Sequence, residues 1–563
     1  MAMVEAFGII YLVFFVLFVV SSFMYIHNNS KEKYSTIIAI IFLLLIGLFV
    51  GLYVREMVYG GSILATTDEA NYLANYYECN VESDCSLSGP GYGSLLELFY
   101  SLFPSFLSSG LYIFSLIITT ITLPFIFLII NRVTKNISAS YLATIFLLST
   151  NYLIYPLIEG RPQQIGMLFV VLVIYYFWFI YNETNDYFKQ IFLFVLLTAL
   201  YYFHMISFLI TIAICICLSA IIYLNNKKEK LSNIISLLSY GLFMIILFGF
   251  EAFPYSEVSQ NVKYSFNQSS SLFLTTLNMA YPLPLILAYL ITALVLIICI
   301  ILLKNKAKKI MNLVPNFINK NKFYFFIFLT YIILFAFFFQ FVIRSDIYLG
   351  VYNNSFLLML LLQIPNIIIT LVFVYVLTYL IKIKDDVLNS SFFMNISFCY
   401  IILGAITLAL SLVMTTNFDN WMIRVINYSL FFIIPFMVLR LYPYLIKRKT
   451  LIVVLLILLI IPSMIVTSKD PSIFDTKVYW DEYDFAFGDW IIDVSEADEI
   501  YYLLVEESSD RLDLNYNKFL KYIFYAETES KNSVTLLTID DDYESLNRLY
   551  DSGVVVLYSG GFS

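Results

Sequence analysis

IIAIIFLLLIGLFVGLYV, residues 37–54, decides the fold: it is eighteen consecutive positions without a charge, closed by Arg55. As a helix such a run is long enough to cross hydrocarbon, whereas barrel strands would show as shorter alternating segments. Similar runs recur along all but the tail of the 563-residue chain, which is 61% hydrophobic with a mean hydropathy of +0.85. Composition therefore sets the class, an all-α polytopic membrane protein. Segmentation predicts about fourteen transmembrane helices, near 6–26, 37–54, 110–131, 139–157, 163–181, 190–204, 206–224, 232–253, 275–303, 323–343, 351–381, 392–414, 424–446 and 451–467. The first run follows Met-Ala-Met-Val-Glu, with too little positive charge for a cleaved signal peptide, and reads as a retained helix.

Charge orients this bundle. Lys31, Lys33, Arg132, Lys135, Lys189, Lys227, Lys228, Lys230, the lysines between 304 and 322, Lys382, Lys384, Lys447, Arg448 and Lys449 fall on alternate loops. The intervening loops carry only Arg55, Arg161, Lys263, Arg344 and Arg424. By the positive-inside rule the lysine-rich side is cytoplasmic, so the loop 55–109 and the tail are extracytoplasmic on a multi-pass protein of the plasma membrane. An even helix count places the N-terminus outside as well. Four of the five outward positives are arginines near helix ends, where a planar guanidinium can hold phosphate oxygens through two parallel hydrogen bonds. Any of these four, Arg55, Arg161, Arg344 and Arg424, could take that role. Snorkelling to the interface is the alternative for each.

The helix over 37–54 leads into ATTDEANYLANYY, residues 65–77. Helical spacing puts Ala70, Leu73, Ala74 and Tyr77 on one stripe and Asp68, Asn71, Tyr72 and Asn75 on the opposite one. A carboxylate, two amides and a phenol on one surface suit a polyhydroxylated ligand. The alternative is a helix start, with Thr66 as N-cap and Glu69 closing a capping box. Cys79 and Cys85 in the same loop form a disulfide in an oxidising compartment or stay as two thiols. Cys215, Cys217, Cys299 and Cys399 lie in apolar runs and read as packing residues.

After residue 467 the chain turns acidic: 468–563 holds about half of all Asp and Glu. Buried strands are expected over 500–506, 534–539 and 554–558, with helices over 515–525 and 543–550 between them. That pattern predicts a small C-terminal α/β domain with a three-stranded parallel sheet. Walker A, GxGxxG, HExxH and Cys/His metal spacings are absent from the sequence. Nucleic-acid binding is disfavoured, because the basic residues belong to the topology loops.

The order of these pieces resembles the GT-C superfamily of integral-membrane glycosyltransferases, particularly the protein O-mannosyltransferase and lipid A aminoarabinose transferase branch. The likeness rests on the acid pair in DEANY, the turn Gly89-Pro-Gly-Tyr-Gly, the outward Glu159-Gly-Arg-Pro segment, mid-chain His204, and Arg424 opening a late helix. It implies a transmembrane domain over 1–467 that takes a sugar from a polyprenyl-phosphate donor and passes it to a protein, lipid or glycan acceptor. Carried over to this chain, the catalytic acid is Asp68 with Glu69 beside it, and Arg161, Arg424 and Arg344 hold the donor phosphate. Tyr92, in the turn, and His204 join Asn71, Tyr72 and Asn75 as candidate substrate contacts. No cofactor is certain. A divalent metal is possible, with His204 and Glu97 as ligands or as packed groups. The helix at 6–26 departs from the family, where the acid loop usually follows the first helix.

The chemistry expects the same residue types. An acceptor hydroxyl must lose its proton as it attacks the anomeric carbon, which one carboxylate can accomplish. A lipid phosphate leaves readily and needs charge stabilisation, supplied by arginine. One displacement inverts the anomeric configuration. Three alternatives stand beside this. An oligosaccharyltransferase-like enzyme is faintly suggested by Tyr479-Trp480-Asp481-Glu482-Tyr483. A polysaccharide flippase or transporter would carry charges along a mid-membrane path, yet here only Arg440 and a few others approach the interior. A membrane scaffold is the third.

Overall fold

A computed structural model describes residues 2–59, 92, 94–95, 98–99, 107–150, 153–154, 162–183, 187–225, 235, 237–240, 242, 294, 297–298, 321–343, 364–380, 391–413, 418–467, 547–551 and 556–559. Among the described residues there are twelve α-helices: α1 (Ala2–Asn28), α2 (Ser35–Tyr59), α3 (Leu107–Thr134), α4 (Ile137–Ile145), α5 (Pro162–Glu183), α6 (Tyr187–Phe203), α7 (Met205–Asn225), α8 (Lys322–Ile343), α9 (Ile364–Tyr375), α10 (Ser391–Val413), α11 (Phe418–Leu445) and α12 (Lys449–Thr467). Two strands follow, β1 (Asn547–Asp551) and β2 (Val556–Ser559).

The helices are apolar on most of their circumference, as membrane spans are and as surface helices of soluble proteins are not. Four are long and apolar enough to cross a membrane, over Ile10–Asn28, Ser35–Tyr53, Ile113–Thr134 and Arg424–Leu445. Polarity is inverted relative to a soluble core. Phe14, Leu17, Ile191 and Val195 each expose more than half of their surface, while Ser115, Thr122, Gln164, Ser207 and Ser397 are fully buried. In hydrocarbon the apolar side chains meet lipid at no cost, while Thr122 and Ser397 donate to carbonyls of their own helices and Ser115, Gln164 and Ser207 find partners on neighbouring ones. The chain is a helical membrane protein.

Small residues set the closest crossings. A Cβ on Gly47 would lie 2.9 Å from the Thr120 carbonyl oxygen, so α2 and α3 touch backbone to backbone there. Polar ties add specificity: Tyr141 on α4 donates to Ser22 on α1 at 2.8 Å. Farther along the chain, Thr150 donates to Asn366 on α9 at 2.7 Å. Between α3 and α4, Lys135 takes φ 55° and Asn136 caps α4, its Oδ1 accepting from the Ala139 N–H at 3.1 Å. That turn, the ends of α1 and α11 and the start of α12 share the lysine-rich end of the bundle, where Tyr442 approaches His27 at 3.5 Å.

Two expectations are corrected. The helix expected over 139–157 ends early: α4 tightens into a 3-10 turn, Phe146–Ser149, and Thr150 is extended with φ −143° and ψ 134°. The Thr150 to Asn366 hydrogen bond holds the chain in that extended form. In the tail, residues 547–551 are a strand rather than part of the helix expected over 543–550. β1 and β2 pair antiparallel, Asn547 opposite Ser559 and Asp551 opposite Val556, with a bulge between Arg548 and Tyr550. Four residues join them, enough for a hairpin and far too few for the crossover that parallel pairing requires. The spans expected at 232–253 and 275–303 and the rest of the tail lie almost wholly outside the described residues.

Candidate functional site

At the end of the bundle opposite the lysine-rich turns, several helices begin close together, and polar side chains bridge them. Proline at the first position of α5 suits a helix start, where its missing N–H is not needed. Two residues on, Gln164 is fully buried against α3. Its Nε2 donates to the Ser115 carbonyl and to Thr119 Oγ1, both at 3.0 Å, and Ser115 Oγ donates back to Oε1 at 3.3 Å. Gly166 comes next on this turn. A Cβ there would lie 2.7 Å from Ser207 Oγ and 3.1 Å from His204 Cβ, so only glycine lets α5 seat against the α6–α7 junction.

His204 is that junction. It interrupts the helical run between Phe203 and Met205, and its imidazole caps α7: Nδ1 accepts the Ser207 N–H at 3.2 Å. A nitrogen that accepts an N–H carries no proton, which puts the proton of the neutral ring on Nε2. The same Nδ1 lies 2.6 Å from Ser207 Oγ, so the serine hydroxyl donates to it. Ser207 Oγ is in turn 2.5 Å from the hydroxyl of Tyr428, fully buried on α11. With the serine proton committed to His204, the tyrosine must be the donor. The relay runs Tyr428 to Ser207 to His204, and its polarity fixes one tautomer.

Arg424 lies one turn before Tyr428 on the same face of α11. His204 sits in the connector between the two helices. Withdrawal from water and, second, the positive charge of Arg424 hold its pKa well below the ordinary imidazole value. A neutral imidazole with a fixed Nε2–H, beside a guanidinium, is a donor pair suited to hydroxyl or phosphate oxygens.

Tyr92 reaches the same end of the bundle, its fully buried ring edge-on to Phe114 at 6.2 Å, adjacent in sequence to Ser115. Of the residues singled out by sequence, Tyr92, His204 and Arg424 thus lie at one end: Tyr92 against Phe114, and His204 joined through Ser207 to Tyr428, one turn from Arg424. Asp68, Glu69, Asn71, Tyr72, Asn75, Glu97, Arg161, Arg344, Cys79, Cys85 and the segment 479–483 lie outside the described residues. Gln164, Gly166, Ser207 and Tyr428 escaped the sequence reading. Gln164 and Gly166 had one available signal, their position just after the Glu159-Gly-Arg-Pro segment. Ser207 and Tyr428 had none. Among the described residues no three His, Cys, Asp or Glu side chains gather as a metal site. Comparison with protein-family models, with curated proteins and with solved structures found no match to this chain.

Proposed function

We propose that the chain is a membrane glycosyltransferase. It takes a sugar from a polyprenyl-phosphate donor and passes it to an acceptor hydroxyl at the outer face of the plasma membrane, with inversion. The supporting observation is the Tyr428–Ser207–His204 relay with Arg424 beside it, at the end of the bundle where the α2 helix leads toward the acid loop. In this reading Asp68 accepts the proton of the attacking hydroxyl, with Glu69 in support. Arg424, together with Arg161 and Arg344, neutralises the departing lipid phosphate. His204 holds an oxygen of donor or acceptor through its Nε2–H. Asn71, Tyr72, Asn75 and Tyr92 cover the sugar.

The test is sugar transfer from polyprenyl-phosphate donors by the full chain in proteoliposomes. Asp68→Asn is expected to lose 10²–10⁴ in rate, roughly the worth of a positioned base, while donor binding stays. Parental turnover by Asp68→Asn would remove the catalytic assignment. Sugar-lipid crossing the bilayer without transfer would favour a transporter.

A further inference from the structure

Tyr400 is buried in the middle of α10, its ring stacked on Phe432 of α11 with 5.6 Å between centroids. Its hydroxyl has no hydrogen-bond partner among the described residues. A phenol proton left bare in hydrocarbon is costly, and folded interiors rarely keep one so. Tyr428, Cys215 and Cys399 are the ionisable neighbours of that hydroxyl, so it faces the interior shared by α7, α10 and α11.

A second orphan lies on the same side. Pro435 is buried inside α11 and has no N–H, so the Phe431 carbonyl one turn before it loses its helical partner. Tyr428, Phe431, Phe432 and Pro435 recur at the i, i+3, i+4, i+7 spacing that puts them on one face of α11. Tyr400 stacks on that face, which brings an orphan donor and an orphan acceptor to one place. A carbonyl freed by proline in a membrane helix is re-satisfied by a neighbouring side chain or by an ordered water. Tyr428 supplies a third group: it gives its proton to Ser207, and its oxygen stays able to accept.

We propose that one internal water molecule binds between Tyr400, Phe431 and Tyr428. The water accepts the Tyr400 proton and donates its own two, one to the Phe431 carbonyl and one to the Tyr428 oxygen. About three hydrogen bonds are what a buried water makes, and here they satisfy both orphans at once. The relay then extends inward, from Tyr400 through the water to Tyr428, Ser207 and His204. Tyr400 is a positioning residue in it. With the Phe431 carbonyl taken by the water, Tyr428 has no competing acceptor on its own face and keeps its proton on Ser207. This site stands whether or not sugar transfer is confirmed.

Cryo-electron microscopy of the full chain in lipid nanodiscs, at a resolution that shows ordered waters, tests it together with the Tyr400→Phe variant. The parent map should hold a density within hydrogen-bond reach of the Tyr400 hydroxyl and the Phe431 carbonyl, and Tyr400→Phe should lose it. Thermal unfolding in detergent gives the second readout. Removing a bare hydroxyl would leave the midpoint unchanged or raise it, whereas removing one that holds a water should lower it. The third is specific to positioning. The chain has two histidines, so in a His27→Gln background nitrogen-15 NMR sees His204 alone. Its Nδ1 resonance should move in Tyr400→Phe. A parent map that shows other internal waters but none here would overturn the proposal, and this arm needs no variant to fold. So would a Tyr400→Phe midpoint at or above the parent's. An unmoved His204 resonance would overturn the role of Tyr400 in the relay.

Discussion

Gly166 and His204 are the two residues on which the relay cluster turns. The space at Gly166 is occupied by Ser207 Oγ at 2.7 Å and His204 Cβ at 3.1 Å, neither the tip of a long flexible chain. Gly166→Ala must therefore displace the relay or tilt α5, at a cost of about 1–3 kcal/mol typical of overpacking. Thermal unfolding in detergent should show the loss, and an unchanged midpoint would mean that α5 is free to shift. His204 makes a pH prediction. Its folded-state pKa is depressed below the ordinary value of 6.5, so the folded protein binds fewer protons at this site than the unfolded chain. The stability from neutral His204 is complete above about pH 6.5 and is lost as pH falls from there toward the depressed folded value. His204→Asn keeps a capping acceptor but does not titrate. The stability difference between parent and variant should shrink from pH 8 to pH 5, and a constant difference would contradict the assignment. His204 and Arg424 were visible in the sequence as a lone histidine and a helix-end arginine. Ser207 was one of many small polar residues in apolar runs, and nothing local marks it as the link to a tyrosine 221 positions away.

Between elements, the close crossings rest on glycine and the chain breaks on polar side chains. Gly47→Val would drive a branched side chain into the Thr120 backbone, where no rotamer escapes, and should separate α2 from α3. A loss of about 1–3 kcal/mol is expected by detergent unfolding. Phe14→Val, on the exposed outer face of α1, is the control and should change little. Helix existence was legible throughout the described spans, because apolar runs long enough to cross hydrocarbon have few other uses. Helix ends were less so. The break at Thr150 depends on Asn366, 216 residues away, and a window over 139–157 contains no proline or glycine that would announce it except Pro156. The 547–551 strand was missed for a related reason. Its residues, Asn-Arg-Leu-Tyr-Asp, have no strong strand pattern, and pairing with Val556–Ser559 selects the conformation.

For the whole molecule, the charge asymmetry predicts which end faces which compartment. Single cysteines at Thr67, Gly160 and Ser530, in a cysteine-free background, should all react with a membrane-impermeant thiol reagent from outside, and one at Lys447 should not. Labelling of Lys447→Cys from outside, or of only some of the first three, would break the threading. Membrane class and the placing of the apolar helices were determined by the sequence alone, because hydrocarbon accepts only segments whose backbone hydrogen bonds are internal and whose side chains are apolar. The alternation of lysine-rich loops was equally plain, being a one-dimensional property of the chain. Only the tertiary structure decided that Gln164, Gly166, His204, Ser207 and Tyr428 share one end in contact. Inside a membrane bundle almost every helix face is apolar, so hydrophobic patterning no longer says which face meets which. That choice falls to close packing at glycines and to a few buried hydrogen bonds, whose partners lie far apart in the chain.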